Sequence, residues 1–240
     1  MTAPAIPLYF YEADGQLLLD LVADMVERIT VYNDQLPLLP EGVTRFHSRA
    51  PPGISVRDYL RRVVRYANVE KCCLLMILVF IDRICARGGT SFVVSSLTVH
   101  RVMIATVVVA SKSLCDNYYT NVHYAKVGGI SLNELNTLEL ELLFLLDWKL
   151  TSNAETLQRY YSNLVRNSLQ QRQQLQQQQQ QQLFVPPSPP NGTVAPPFAP
   201  QMATPNFSTP PYQQASAASS RPQAVAASAL RLNQPGSMAT

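Results

Sequence analysis

VGGISLNELNTLELELLFLLDWKL, residues 127–150, is the stretch on which the fold turns. Plotted at about 100° per residue, Leu135, Leu138, Leu142, Leu145 and Leu146 fall on one stripe, while Glu134, Thr137 and Glu141 gather opposite. This is an amphipathic helix with an apolar face to bury. Ser131-Leu-Asn-Glu134 supplies the capping box that opens it. Glu139 breaks the pattern, because it falls between Leu132, Leu135, Leu143 and Leu146. A carboxylate taken out of water without a partner costs several kcal/mol. Glu139 therefore has an internal partner, lies in a gap, or faces another molecule.

On either side of this stretch the chain continues to read as helix. Residues 15–32 carry Leu18, Leu21, Val22, Met25, Val26 and Ile29 on one face. A proline-bearing loop follows, with Pro37, Pro40, Pro51 and Pro52. Ser55-Val-Arg-Asp58 starts a helix through about Ala67. The pattern then places Asn68 as the cap of a helix over 69–86, apolar nearly all round and expected to be central, with Gly88-Gly89 stopping it. Ser95 or Ser96 opens a helix to about Leu114. The β-branched run at 102–109 competes as a strand, but it continues without punctuation into ASKSL, and its flanks suit a helix. Asn121 opens a short helix closed by Gly128-Gly129. Ser152-Asn-Ala-Glu155 opens another to about Ser168. The expected class is all-α, with five core helices and one flanking helix at each end.

Beyond residue 168 the composition changes to QQRQQLQQQQQQQ, then to Pro-, Ala- and Ser-rich sequence, with no acid after Glu155. Apolar periodicity is lost, so 169–240 is expected to be disordered, with the glutamine run extending the helix by a turn or two. Ser188, Thr204 and Thr209 each precede a proline, a pairing that proline-directed kinases favour.

The composition excludes several classes of function. A net charge of +3 with scattered basic residues argues against nucleic acid as the main partner. The longest apolar run, CCLLMILVFI, is bracketed by Lys71 and Asp82 and is too short to cross a bilayer. No basic residue precedes Arg28, so no signal or transit peptide is expected, and the chain reads as a soluble protein of the cytoplasm, the nucleus or both. Cys72, Cys73, Cys85 and Cys115 form no C-x-x-C pair and have no histidine at metal spacing; they read as reduced core cysteines. Phosphate loops, nucleophile elbows and H-E-x-x-H motifs are missing. No enzyme activity, cofactor, metal or small-molecule ligand is expected. The charges in apolar settings remain: Arg62, Asp82, Lys112 and Glu139. Arg62 and Asp82 are expected to pair. Lys112 and Glu139 sit where a bundle has an edge rather than a centre.

These residues carry a resemblance. SVRDYLRRVVRYANVEKCCLLMILVFIDRI looks like the first two helices of a cyclin box, and LTVHRVMIATVVVASKSLCDNYYTNVHYAKVGGISLNELNTLELELLFLLDWKL resembles the rest. The combination HR, ASK, DNYYTN, YAKVGGIS and ELNTLE points to the Pho80-like branch of the cyclin family, which includes plant U/P-type members. The resemblance implies a box over 45–150, preceded by an N-terminal segment (1–44) and followed by a flanking helix (151–168). It also implies a cyclin-dependent kinase partner, of Pho85-like or cell-cycle type. In cyclins the lysine of the ASK element and the glutamate of the LE element hold the kinase's helix C region; here these are Lys112 and Glu139. Leu143 and Trp148 fall where cyclins present apolar contacts. Asp116 either reaches the kinase's activation segment or sits in a solvated loop. Two departures stand out. PPGISV replaces the Met-Arg-x-x-Leu docking patch of many cell-cycle members, so that function is not carried over. Ser113 stands where ASKF has an apolar residue. The alternative functions are a transcription adaptor on the same box, or an all-α scaffold that interacts through its tail.

Overall fold

The computed structural model describes residues 6–37, 43–86 and 92–183. Among them the chain is all-helical: α1 (Gly15–Asn33), α2 (Val56–Ala67), α3 (Lys71–Ala86), α4 (Val99–Leu114), α5 (Asn121–Gly128), α6 (Leu132–Leu145) and α7 (Ala154–Leu183). The five core helices are α2 to α6, with α1 and α7 flanking. Helices through Arg172 belong to one compact unit; residues 173–183, the end of α7, belong to a second. The Gly88-Gly89 stop, Ser188, Thr204, Thr209 and the tail from 184 onward lie outside the described residues.

Most boundaries follow local chemistry. Asp14 caps α1 by accepting from the backbone N–H groups of Gln16 and Leu17, and Ser55 and Ser131 do the same for Asp58 and Glu134. Four expectations need correction. Asn68 ends α2 in a left-handed conformation (φ 46°) instead of capping α3, which begins at Lys71; asparagine is among the residues that tolerate this conformation. Next, α4 starts after Thr98 rather than at Ser95 or Ser96, because Thr98 Oγ1 bonds back to the Ser95 N–H (2.8 Å) and the Val93 carbonyl (3.0 Å), closing a turn first. Asn153, not Ser152, caps α7, its Oδ1 accepting from Thr156 N at 2.8 Å. Finally, α7 runs past Ser168 through the glutamine run to Leu183, well beyond a turn or two. Glutamine is a good helix former and loses little rotamer freedom in a helix.

α4 makes its main contacts with α2, α3, α5 and α6, and α3 also packs on α1. Every residue of α4 from Val102 to Ser111 is buried, as are Cys73 to Ile81 of α3. The β-branched run is thus a helix enclosed on all sides. Glycine allows the closest approach: a Cβ on Gly128 would stand 2.9 Å from Ile104 Cγ1, so α5 lies directly against α4. Gly129 then ends α5 at φ 71°.

The segment before α1 is tied to the first turns of α7. Gln158 of α7 accepts from Phe10 N (3.1 Å) and donates to the Leu8 carbonyl (2.8 Å), while Tyr161 Oη donates to the Pro7 carbonyl (2.8 Å). Arg57 of α2 is clamped by Asp20 (2.6 Å), Asp24 and Glu27 of α1.

The expected Arg62–Asp82 pair does not form. Asp82 Oδ2 accepts from Tyr160 Oη of α7 at 2.8 Å, while its buried Oδ1 has no partner among the described residues. The Arg62 guanidinium lies over the Tyr59 ring, 5.0 Å from its centroid. Tyr59 in turn donates to the Gly128 carbonyl (3.1 Å) and meets His100 edge-on. The cation is held by an aromatic face, and the carboxylate by a phenol.

His100 donates from Nε2 to the Ile54 carbonyl at 3.0 Å, and its Nδ1 is buried without a partner. Burial, together with Arg62 and Arg101, holds its pKa below the ordinary 6.5, against the opposing pull of the carbonyl. The unfolded chain therefore binds this proton first on acidification. Stability should fall as pH drops below about 6.5, and a pH series of chemical melts should show a shallower fall for His100→Gln. Tyr160→Phe, which strands the Asp82 carboxylate, should cost about 1–3 kcal/mol in the same assay. Arg62→Met and Asp82→Asn should be additive within about 0.3–0.5 kcal/mol; a larger coupling would restore the pair.

Candidate functional site

The last turn of α4, the first residue of α5 and the middle of α6 meet at one edge of the bundle. Lys112 Nζ donates to Glu139 Oε1 at 2.6 Å. Asn121 Nδ2 donates to Glu139 Oε2 at 2.7 Å and to Asn136 Oδ1 at 2.7 Å. The Lys112 and Glu139 side chains keep 32% and 15% of their surface in solvent. Glu139 therefore has internal partners, the first of the three alternatives its place on the helix left open. The pair nonetheless lies at a rim and not in the deep core. Its hydrogen-bonding capacity is not used up, because the ammonium has further N–H donors and each carboxylate oxygen a further lone pair.

Why these residues converge is a matter of helix ends. α4 is sealed from Val102 to Ser111, so the first residue beyond that run with freedom to carry charge is Lys112. A cation in the last turn also complements the helix dipole. Thr120 starts α5 without a side-chain cap, and Asn121 spends its amide on Glu139 instead. On α6 the core stripe, Leu135, Leu138 and Leu142, faces inward with Leu146 just beyond, and Glu139 falls at the stripe's edge, where α4 ends.

The other expected residues lie nearby or along the same helix. Leu143, one turn beyond Glu139, is half-buried. Trp148 is exposed and meets Phe144 edge-on, with ring centroids 6.1 Å apart. Asp147 and Trp148 both have positive φ, 54° and 57°. This conformation costs a non-glycine residue roughly 1–2 kcal/mol. Arg83 of α3 holds the following segment, donating to the carbonyls of Lys149 (2.5 Å) and Thr151 (2.8 Å). Asp116 is exposed in the turn after α4, near the exposed Tyr118 and Tyr119, the latter stacked on His123 at 4.1 Å.

Sequence reasoning missed Asn121, Leu140 and Phe144. Leu140 and Phe144, four residues apart on α6, are 50% and 61% exposed, and Trp148, past the end of the helix, lies beside Phe144. The signal was present: α6 has more apolar residues than one inward face can use. Asn121 carried no such signal, since a polar residue opening a helix is ordinary.

A sequence model described as Cyclin matches residues 24–150, more than half of the chain. The chain belongs to the cyclin family. It is 42% identical over 151 residues to the Neurospora crassa protein named Nuc-1 negative regulatory protein preg, covering 62% of this chain but only 31% of that one. It is 38% identical over 150 residues to Cyclin-U4-1 of Arabidopsis thaliana, covering 61% of this chain and 74% of the relative. PHO85 cyclin PHO80 of Saccharomyces cerevisiae is 38% identical over 129 residues, which is 54% of this chain and 42% of that protein. These relatives place this cyclin in the Pho80-like branch, as the ASK and ELNTLE elements implied. Among the described residues, no helix is long and apolar enough to cross a membrane.

In this cyclin the rim position of the Lys112–Glu139 pair limits its worth to the fold. A double-mutant cycle with Lys112→Ala and Glu139→Ala in the isolated protein should give a coupling of about 0.2–1 kcal/mol, with helicity by circular dichroism unchanged. A coupling of about 3 kcal/mol or more would mark a buried structural pair instead.

Proposed function

We propose that this cyclin is the regulatory, non-catalytic subunit of a cyclin-dependent protein kinase, acting in nutrient (phosphate) signalling or in the cell cycle. The observation that carries this reading is a charged pair at a solvent-touching rim, Lys112 of α4 with Glu139 of α6, together with the exposed Leu140 and Phe144 of α6 and Trp148 just beyond that helix. Relatives named PHO85 cyclin PHO80 and PHO85 cyclin-7 support the choice of partner.

A protein kinase needs its β3 lysine paired with the helix C glutamate before phosphoryl transfer. A cyclin that binds only the inward position of helix C raises the population of that state. Moving it from 1:99 to 99:1 takes about 5.5 kcal/mol of differential affinity. Lys112 donates to carbonyls at the end of helix C, and Glu139 accepts from backbone N–H groups there. Hydrogen bonds with one charged partner contribute about 1.5–3 kcal/mol each. Burial of Leu143, Leu140, Phe144 and Trp148 supplies the rest at about 25 cal/mol per Å².

The mutual pairing of Lys112 and Glu139 assists this role. Each side chain is held near its working position by the other and by Asn121. Less rotamer entropy is then lost on docking, and the guest adds hydrogen bonds to the pair without first breaking it. Asp116 is exposed beyond the end of α4, where it either stays solvated or meets an arginine of the kinase's activation segment.

Lys112→Ala with Glu139→Ala should weaken binding to the cognate cyclin-dependent kinase by about 100-fold or more, as expected for losing roughly 3 kcal/mol. Isothermal titration against the purified kinase reads the affinity, and melting of the free cyclin reads the fold. Undiminished affinity in a folded double variant would overturn the proposal.

A further inference from the structure

Three of the four cysteines meet in space although the sequence separates them. Cys72 and Cys73 stand in the first turn of α3, and Cys115 ends α4. Cys73 Sγ lies 3.4 Å from Cys115 Sγ and 4.0 Å from Cys72 Sγ, and all three sulfurs are within 4.8 Å of one another. Glu70 adds a carboxylate, its Oε2 lying 3.8 Å from Cys72 Sγ. We propose that Cys72, Cys73, Cys115 and Glu70 form a site for a thiophilic cation, zinc in the first instance, stapling the start of α3 to the end of α4.

The geometry suits that ion. Zinc–thiolate bonds of about 2.3 Å in a tetrahedron put the sulfurs roughly 3.8 Å apart, against 3.4 and 4.0 Å here. A disulfide would join two of the sulfurs and leave the third idle, whereas a metal uses all three. Thiolates are the ligands that soft cations select, and the N-terminal turn of α3 favours negative charge on Cys72 and Cys73. The carboxylate completes a four-coordinate set. Access is also provided: Cys72 and Glu70 line a surface hollow with Phe10, Tyr11 and Asn68, while Cys73 closes the inner side, fully buried. Metal-spacing rules missed the cluster because Cys115 arrives from another helix. Cys115 follows Lys112 by three residues, so the ion would fix the end of the helix that carries the lysine. The site does not depend on the kinase reading.

The test uses the full chain, reduced with a phosphine, stripped with chelator and titrated with cobalt(II) as probe. We expect one cobalt per chain with sulfur-to-cobalt charge-transfer absorption, displaced by one equivalent of zinc. Cys72→Ser and Cys115→Ser should each weaken zinc binding by at least ~10-fold in competition with a chromophoric chelator. Cys85→Ser, outside the cluster, should bind as the wild type does. If Cys115→Ser loses helicity, the half-exposed Cys72→Ser carries the comparison. Absence of sulfur charge transfer while a thiol assay counts every cysteine as free would overturn the proposal. So would zinc affinity undiminished in Cys72→Ser, or a reduced protein that forms the Cys73–Cys115 disulfide in air yet takes up no metal beforehand.

Discussion

From Val102 to Ser111, α4 presents no side to water, so other elements must enclose it. Burying each large aliphatic side chain contributes about 1.5–3 kcal/mol, and the helix carries such residues all round its circumference. α2, α3, α5 and α6 supply the enclosure, and α5 can close in because Gly128 has no Cβ to strike Ile104. The enclosure ends where the apolar run ends. What emerges there is a short polar end, Lys112 to Asp116, and the candidate site gathers around it.

The charges of this molecule are handled in two different ways. Those of α1 and α2 form a partly solvated cluster around Arg57, and Arg101 meets Glu134 at 2.6 Å between α4 and α6. Such contacts tune register and contribute little each. The half-buried ions are treated separately: Arg62 on an aromatic face, Asp82 under a tyrosine hydroxyl, Glu139 between a lysine and an asparagine. Helix spacing shows which charged residues approach the core, but not which neighbour receives them. Arg62 and Asp82 were a reasonable match on α2 and α3, yet Tyr160 reached Asp82 from α7, some eighty positions along the chain.

The end of α6 shows a local cost retained for position. Two consecutive non-glycine residues, Asp147 and Trp148, take left-handed conformations, and Arg83 secures the chain just after them. The result sets Trp148 beside Phe144 on the outside of the bundle. Exposed aromatic side chains that are held in place lose little conformational freedom when covered, which suits them to binding.

The amino-acid order alone marked which segments are helical, though not where α3 and α4 begin or how far α7 runs, since stripes, capping boxes and glycine stops are local in origin: Ser55, Ser131 and Gly129 act within a turn of their own position. It also marked Lys112 and Glu139 as charges out of place. The folded arrangement assigned their company: Glu139 to Lys112 and Asn121, Cys115 to Cys72 and Cys73, Asp82 to Tyr160. Periodicity follows from the geometry of one helix, whereas a side chain's neighbour depends on how separate helices rotate and slide to bury their apolar faces, and that is set by packing all of them at once.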